Sequence, residues 1–295
     1  MKLGGNMKIL INSDSSCDLS EELIKKNNIN IIPFRITLGE KEYTDKVDIT
    51  NEAIFDYVKA NKVLPKTSAL NEYDFDEYFN NLRGGDENIA IIHFSISSKI
   101  SSVYDHAVAC ASKMKNVYII DSLSLSTGVG LQVLYACALR DRGLDAEEIV
   151  KRVNDRRGQV QASFVIDRMD YLAKGGRCPS IAAFGANLLG LKPSIRLTDG
   201  KMGKDKLYRG KIDKVFASYI VDTLQKYNSY DNSTVFITYS SAPQEMVDSA
   251  VEKIIKYLKE NTTFKNIYCT TAGSTVASHC GPNTIGILYY NGQAE

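Results

Sequence analysis

Three times in the first half of this chain a short aliphatic run gives way to a polar loop and then to an amphipathic stretch. The runs are residues 8–11, 89–94 and 117–120; the stretches start near residue 19, start near residue 101, and pass through 131–139. Unbroken aliphatic runs of this length suit strands covered on both faces, and strands alternating with helices in this way build a parallel sheet. Asp18 stands three residues ahead of Glu21, the spacing of a capping box, so Asp18 is expected to cap the first helix.

Between the first two units, residues 29–38 and Glu42-Tyr43 flank Gly39-Glu40, which reads as a hairpin, and helices are expected near 51–59 and 73–82. After a helix over 146–154 the rhythm changes. Residues 162–166, 194–197, 234–239, 267–271 and 284–290 read as strands at unequal spacing. A chain of 295 residues is too long for one ordinary core. The expectation is an α/β protein of two domains: residues 7–158, with a Rossmann-like parallel sheet, and residues 159–295, an α+β unit with a mixed sheet. Residues 1–6 read as an extension ahead of the fold, without the apolar stretch of a secretory signal.

The hydrophobic fraction of 44% and the charged fraction of 24% are those of an ordinary globular protein, and no apolar run is long enough to span a bilayer. A net charge of +1, with Lys and Arg dispersed among acids, gives no field for nucleic acid, so no nucleic-acid partner is expected. Six cysteines stand far apart without a C-x-x-C pair, which fits neither a zinc site nor a disulfide scaffold. They read as reduced thiols of a cytoplasmic protein.

Ligands of open parallel sheets sit beyond the carboxyl ends of the strands, where loops converge on helix N-termini. Here those loops are crowded with hydroxyls: Ser13-Asp14-Ser15-Ser16, then Ser95 through Ser102, then Asp121-Ser122-Leu123-Ser124-Leu125-Ser126. Thr67-Ser68, just after Pro65, is placed at the start of another helix. Any one such loop is explained by capping and turn formation; four together point to a ligand with a polar head. Hydroxyls without a metal cluster or a concentrated Lys/Arg pair suit a carboxylate better than a polyphosphate. No G-x-x-x-x-G-K or G-x-G-x-x-G motif is present, so no nucleotide cofactor is expected. Gly128-Val129-Gly130 and Gly175-Gly176 read as places of close backbone approach.

Serine hydrolysis would need a base, and the histidines are three: His93, His106 and His279. His93 lies in an apolar strand and His106 in a helix, both structural settings. His279 falls in Ser278-His279-Cys280-Gly281-Pro282-Asn283, read as a tight turn before the last strand, where a neutral imidazole could donate to a bound oxygen. Residues 181–191 are apolar or small around the whole circumference of a helix, which must be buried or line an apolar pocket.

Seven segments, in order, resemble the DegV family of bacterial fatty-acid-binding proteins, which includes the FakB subunits of fatty acid kinase. They are Asp14-Ser15-Ser16-Cys17-Asp18-Leu19, Lys66-Thr67-Ser68, Ile96-Ser97-Ser98-Lys99-Ile100-Ser101, Asp121-Ser122, Leu172-Ala173-Lys174-Gly175-Gly176-Arg177, Leu191-Lys192-Pro193 and His279-Cys280-Gly281-Pro282. The resemblance covers Met7 to the C-terminus and implies a DegV-like fold with a fatty acid between two α/β domains. It implies a carboxylate held by Thr67 and Ser98, with Ser97 and Ser68 near them, His279 in support and Arg177 at the rim. Two segments depart from the family pattern: the usual Thr-Ser-Gln-Pro is Thr67-Ser68-Ala69-Leu70, and Leu-Ser-Gly-Thr is Ile100-Ser101-Ser102-Val103.

The implied function is that of a non-catalytic lipid carrier, which presents a long-chain fatty acid to a separate ATP-dependent fatty acid kinase for acyl-phosphate formation and phospholipid synthesis. Transient membrane contact during lipid exchange belongs to the same picture. Arg177 and Arg209, the latter in the basic stretch 204–214, are the residues expected to meet the partner. The rival reading is an enzyme acting on a small polar substrate in the same cleft. Its acid/base pair would come from His279 with Asp14 or Asp121.

Overall fold

The computed structural model describes residues 7–182, 190–227, 229–240 and 244–292. Along the chain come β1 (Ile9–Asp14), α1 (Glu21–Lys26), β2 (Ile29–Ile32), β3 (Arg35–Leu38), β4 (Lys41–Thr44), α2 (Asn51–Asn61), β5 (Lys66–Ser68) and α3 (Glu72–Arg83). Next are β6 (Ala90–Ser95), α4 (Val103–Ala111), β7 (Val117–Asp121), α5 (Thr127–Asp141) and α6 (Ala146–Arg156). The rest is β8 (Val160–Val165), α7 (Asp170–Gly175), α8 (Pro179–Ala182), β9 (Leu191–Thr198), β10 (Lys201–Arg209), α9 (Ile212–Lys226), β11 (Tyr230–Tyr239), α10 (Gln244–Asn261), β12 (Asn266–Thr271), α11 (Ser274–Cys280) and β13 (Ile285–Asn291). Residues 183–189, most of the apolar segment at 181–191, lie outside the described residues.

The aliphatic runs form a four-stranded sheet, in the order β2-β1-β6-β7, parallel throughout. Because every strand runs the same way, the loops after β1, β6 and β7 emerge on one edge. The later strands make a six-stranded mixed sheet, β10-β9-β8-β13-β11-β12, in which β11 and β12 are parallel and the other neighbours antiparallel. The hairpin expected about Gly39-Glu40 is present as β3 and β4, and β5 joins it in a separate three-stranded sheet.

Helix α5 lies between the two large sheets. It is apolar or small on nearly every side, with buried residues from Thr127 to Leu139, as a helix covered all round must be. Its first residue bonds across the junction, Thr127 Oγ1 to Thr238 Oγ1 at 2.7 Å, and Tyr135 near its end meets the ring of Tyr290 edge-on. Beside that contact the Arg156 guanidinium covers the Tyr290 ring at 4.1 Å and pairs with buried Asp231.

The arm expected over 29–38 is divided, 29–32 joining the parallel sheet as β2 and 35–38 the hairpin as β3 with Pro33 between them, and three further local expectations fail. Asp18 does not cap α1; Ser20 does, accepting from the Leu23 amide at 3.3 Å, and Asp18 sits in the left-handed region as a buried residue bonded elsewhere. Thr67 and Ser68 do not start a helix; they lie on β5, where Thr67 pairs with Ile36 and Ser68 with Arg35, and α3 begins only after the Asn71 cap. His279 is not in a turn but in the last turn of α11, and the turn begins at Gly281.

Candidate functional site

At the edge where the parallel strands end, a cavity of about 190 Å³ opens between the two halves of the chain. Ile96 and Leu125, which follow β6 and β7, form part of its wall with Phe34, Ile100, Leu172, Met202 and Val276. Its polar lining is Thr67, Ser68, Ser101, Ser102, Arg177, Thr275 and His279. A narrower hollow of about 30 Å³ shares the walls Leu125, Val276 and Cys280 and continues inward past Ala162, Phe164, Gly286 and Leu288. The cleft therefore combines a polar mouth with an apolar interior.

The position of α11 decides where His279 points. The helix has no side-chain cap of its own, since its N-cap is Gly273. Instead two buried carboxylates from the other half of the chain take its first amides. Asp18 Oδ1 accepts from the Gly273 amide at 2.7 Å, and Asp45 Oδ1 accepts from the Ser274 amide at 2.8 Å. The remaining lone pairs are used as well: Ser126 donates to Asp18 Oδ2 at 2.6 Å and Ser15 to Asp45 Oδ2 at 2.8 Å. Asn51 adds a bond from Nδ2 to the Ala272 carbonyl at 2.9 Å.

Held there, His279 places Nε2 at 2.8 Å from Thr67 Oγ1. On the ring's far side Gly175 packs so closely that a Cβ there would stand 2.8 Å from Nδ1, so the expected close backbone approach at Gly175 is present and has a purpose. Removal from water, and then the nearby Arg177 charge, pull the imidazole down to about 4, so it is neutral at pH 7. Arg177 is exposed at the mouth and donates from Nη1 to the Gly175 carbonyl at 2.5 Å.

Of the residues singled out from sequence, Thr67, Ser68, Arg177 and His279 share this cavity, whereas Ser97, Ser98 and Arg209 are not among its walls. Ser97 is buried and donates to the Gly200 carbonyl at 2.8 Å, and the Ser98 amide donates to Asp121 Oδ1 at 3.0 Å. That loop instead delivers Ser101 and Ser102 to the cavity, because the bonds of Ser97 and Ser98 turn the chain toward the start of α4. Arg209 is exposed at the end of β10, an edge strand. Asp45 and Thr275 were not anticipated: Asp45 sits in an ordinary loop and Thr275 on a helix with no local start signal.

Neither acid proposed to assist His279 is bonded to it. Asp14 accepts from Ser16 and from the Ile96 amide at 2.8 Å, and Asp121 accepts from the amides of Ser98 and Leu123. His93 bonds Asn12 and, at 3.1 Å, Ser95, and His106 bonds the Leu70 carbonyl, both as parts of the scaffold. The cysteines described are all free thiols, and no cluster able to hold a metal ion occurs among the described residues. No helix among them is long and apolar enough to cross a membrane.

The chain is thus a two-domain α/β protein with a cavity between its two large sheets that is lined by hydroxyls and aliphatic side chains. The model of the family described as "Uncharacterised protein, DegV family" matches residues 8–292, and the chain belongs to the DegV family. A DegV domain-containing protein of Clostridium acetobutylicum is 31% identical over 285 residues, covering 96% of this chain and 98% of the relative. Among solved structures, a DegV family protein of Thermus thermophilus, described by its fatty acid binding, superposes with a TM-score of 0.86 at 24% identity, over 97% of this chain and 100% of that one. A stearic acid-binding protein of Eubacterium ventriosum superposes with a TM-score of 0.82 at 25% identity, over 95% of this chain and 97% of that one.

The buried acid under α11 sets a pH dependence. Burial raises Asp18 from 3.8 to about 6, against the opposing pull of Lys46 and its hydrogen bonds. A carboxyl whose folded pKa is raised favours the fold most when protonated, so its contribution is full below about 4 and falls as pH rises to about 6. Asp18→Asn keeps an acceptor for the Gly273 amide, suits the left-handed backbone and cannot ionise. Urea unfolding should show the wild type gaining on Asp18→Asn, by up to about 3 kcal/mol, as pH is lowered from 6 to 4. Parallel pH profiles for the two proteins would remove Asp18 from this role.

Proposed function

We propose that the cavity binds one long-chain fatty acid, carboxylate at Thr67 and acyl chain along the apolar walls, and that the protein carries this ligand without transforming it. The observation that carries the reading is the Thr67–His279 pair at 2.8 Å in a cavity whose polar side chains share the space with aliphatic walls. A neutral imidazole with its proton on Nε2 donates to Thr67 Oγ1 and so leaves the threonine hydroxyl free to donate outward. A carboxylate offers only acceptors, so an outward-facing donor is what it needs. Ser68, Ser101 and Ser102 stand beside it, and Arg177 supplies a positive charge at the rim. The stearic acid named for the Eubacterium ventriosum relative supports a fatty acid as the ligand.

The same geometry argues against the enzyme reading. Gly175, not a carboxylate, faces the second ring nitrogen of His279, so the orienting acid of a catalytic dyad is missing from that side among the described residues.

Burying about 14 methylenes at about 0.8 kcal/mol each yields on the order of 11 kcal/mol before association costs, so the ligand should survive purification. Denaturation, solvent extraction and mass spectrometry should recover a fatty acid at close to one equivalent. Protein free of lipid that also fails to bind added fatty acid would overturn the assignment.

Thr67→Val preserves shape and removes one charge-assisted hydrogen bond, so fatty acid affinity should fall roughly 10- to 100-fold. Ser98→Ala, with its amide bond to Asp121 intact, should leave affinity within about threefold. Titration calorimetry with the delipidated proteins measures both, and the reverse ranking would move the head group to the Ser98 loop.

The carried carboxylate lies at the mouth, where a separate ATP-dependent kinase could transfer a phosphoryl group to it, forming an acyl phosphate and ADP for use in phospholipid synthesis. In this proposal the exposed cations Lys204, Lys206 and Arg209 on the edge strand β10 form the docking face, and Arg177 sits at the transfer point. Arg209→Ala should keep fatty acid affinity and lower acyl-phosphate formation with a cognate kinase, with the difference shrinking as salt is raised. Equal rates at limiting carrier would remove Arg209 from the interface.

A further inference from the structure

One buried hydroxyl of the cavity wall has no hydrogen-bond partner among the described residues. It is Oγ1 of Thr275, which is 8% exposed and lines the cavity. Its neighbours on the same helix are satisfied. Ser274 Oγ bonds Asn51 at 2.9 Å and Ser278 Oγ donates to the Ser274 carbonyl at 2.7 Å. Thr275 is only the second residue of α11, so its own helix offers no carbonyl one turn back. An unpaired buried hydroxyl is costly, and the cost persists when hydrocarbon is laid over it.

Thr275 and His279 are four residues apart on α11, so their side chains project from the same face one helical turn apart. The walls of the same cavity include the apolar side chains Phe34, Ile96 and Leu125, which follow β2, β6 and β7. A rotation of about 120° about its χ1 carries the hydroxyl to the place of the methyl, and the methyl to the third staggered position, without moving the backbone.

We propose that Thr275 is a specificity residue: its hydroxyl pairs with an oxygen carried by the acyl chain near its carboxyl end, so the cavity favours hydroxy or oxo fatty acids over unsubstituted ones. The inference rests on the fatty acid reading above and deepens it. A chain hydroxyl supplies both the acceptor that Thr275 needs and a donor in return. An unsubstituted chain passes the same point with methylenes and leaves the threonine unpaired. A site with a polar group to satisfy rejects the analogue that lacks its partner more strongly than an apolar pocket rejects an extra hydroxyl.

The test is calorimetric titration of delipidated protein with hexadecanoate and with its 2-hydroxy and 3-hydroxy derivatives, for wild type, Thr275→Val and Thr275→Ser. Wild type and Thr275→Ser should prefer at least one hydroxy acid over hexadecanoate, and Thr275→Val should lose that preference by roughly 5- to 100-fold. The valine variant should also bind hexadecanoate at least as tightly as wild type, which shows that it folds and keeps its carboxylate site. Thr275→Val weakening all three ligands equally would place Thr275 on the carboxylate and overturn the chain-oxygen assignment. The same preference in all three proteins would make Thr275 a plain wall residue. Wild-type protein that binds none of the three would instead bring down the fatty acid reading on which the inference rests.

Discussion

Two buried carboxylates, Asp18 and Asp45, hold the first amides of α11, and the arrangement of the cavity follows from that capture. A seven-residue helix is too short to persist by its own hydrogen bonds. Anchoring its positive end on acids from the opposite half of the chain makes it a fixed strut. The strut sets His279 against Thr67 on one side and Gly175 on the other, so a residue of the last hundred and one of the first hundred meet with a single ring orientation. The anchors need unusual backbone to reach: Asp18 has φ of 51° and Ser126, which bonds it, has φ of 54°. Such conformations are costly for residues with a Cβ and persist only where the surroundings fix them.

That anchoring also explains which parts of the molecule were legible in the sequence. The parallel sheet was, because continuous aliphatic runs followed by helical patterns have one economical arrangement, and β1, β6 and β7 fall where those runs fall. So was the β3–β4 hairpin, whose Gly39-Glu40 turn is a local signal. Asp18 misled because its spacing to Glu21 matches a local cap, while its true partner is an amide 255 residues away. A long-range bond leaves no mark on local spacing. The α11 helix was missed for the complementary reason: its N-cap is glycine, its capping acids are distant, and Gly281-Pro282 immediately after it reads as a turn. Thr67 is on a strand only because β3 is there to pair with it.

The titrating groups of the interior pull in opposite directions. Asp14 and Asp18, both raised to about 6 mainly by burial, favour the fold more as pH falls from 6 toward 4. His93 and His279, lowered by burial to about 3 and about 4, oppose it over much of the same range, since a neutral buried imidazole loses its advantage as the unfolded chain takes up protons below 6.5. With two groups of each sign and shifts of similar size, their effects largely offset, and none of the four sits at an exposed position where salt would screen it.

The same acids bear on what the cavity can accept. Asp14, Asp18, Asp45 and Asp121 all stand near the strand ends, a poor setting for an anion if their charges faced the ligand. They do not line the cavity, and each is turned into the scaffold and engaged by amides or serine hydroxyls. A carboxylate whose lone pairs are already used offers nothing to a ligand's donors, which disfavours polyols and sugars that would need acceptors there. What faces the opening is the reverse set: the hydroxyls of Thr67, Ser68, Ser101 and Ser102 and the Arg177 guanidinium. With its acids engaged by α11 and by its own loops, the fold keeps carboxylates out of the mouth and leaves there hydroxyls and a guanidinium, all able to donate. That division suits the ligand proposed above, whose anionic head needs donors and whose tail needs the aliphatic wall behind them.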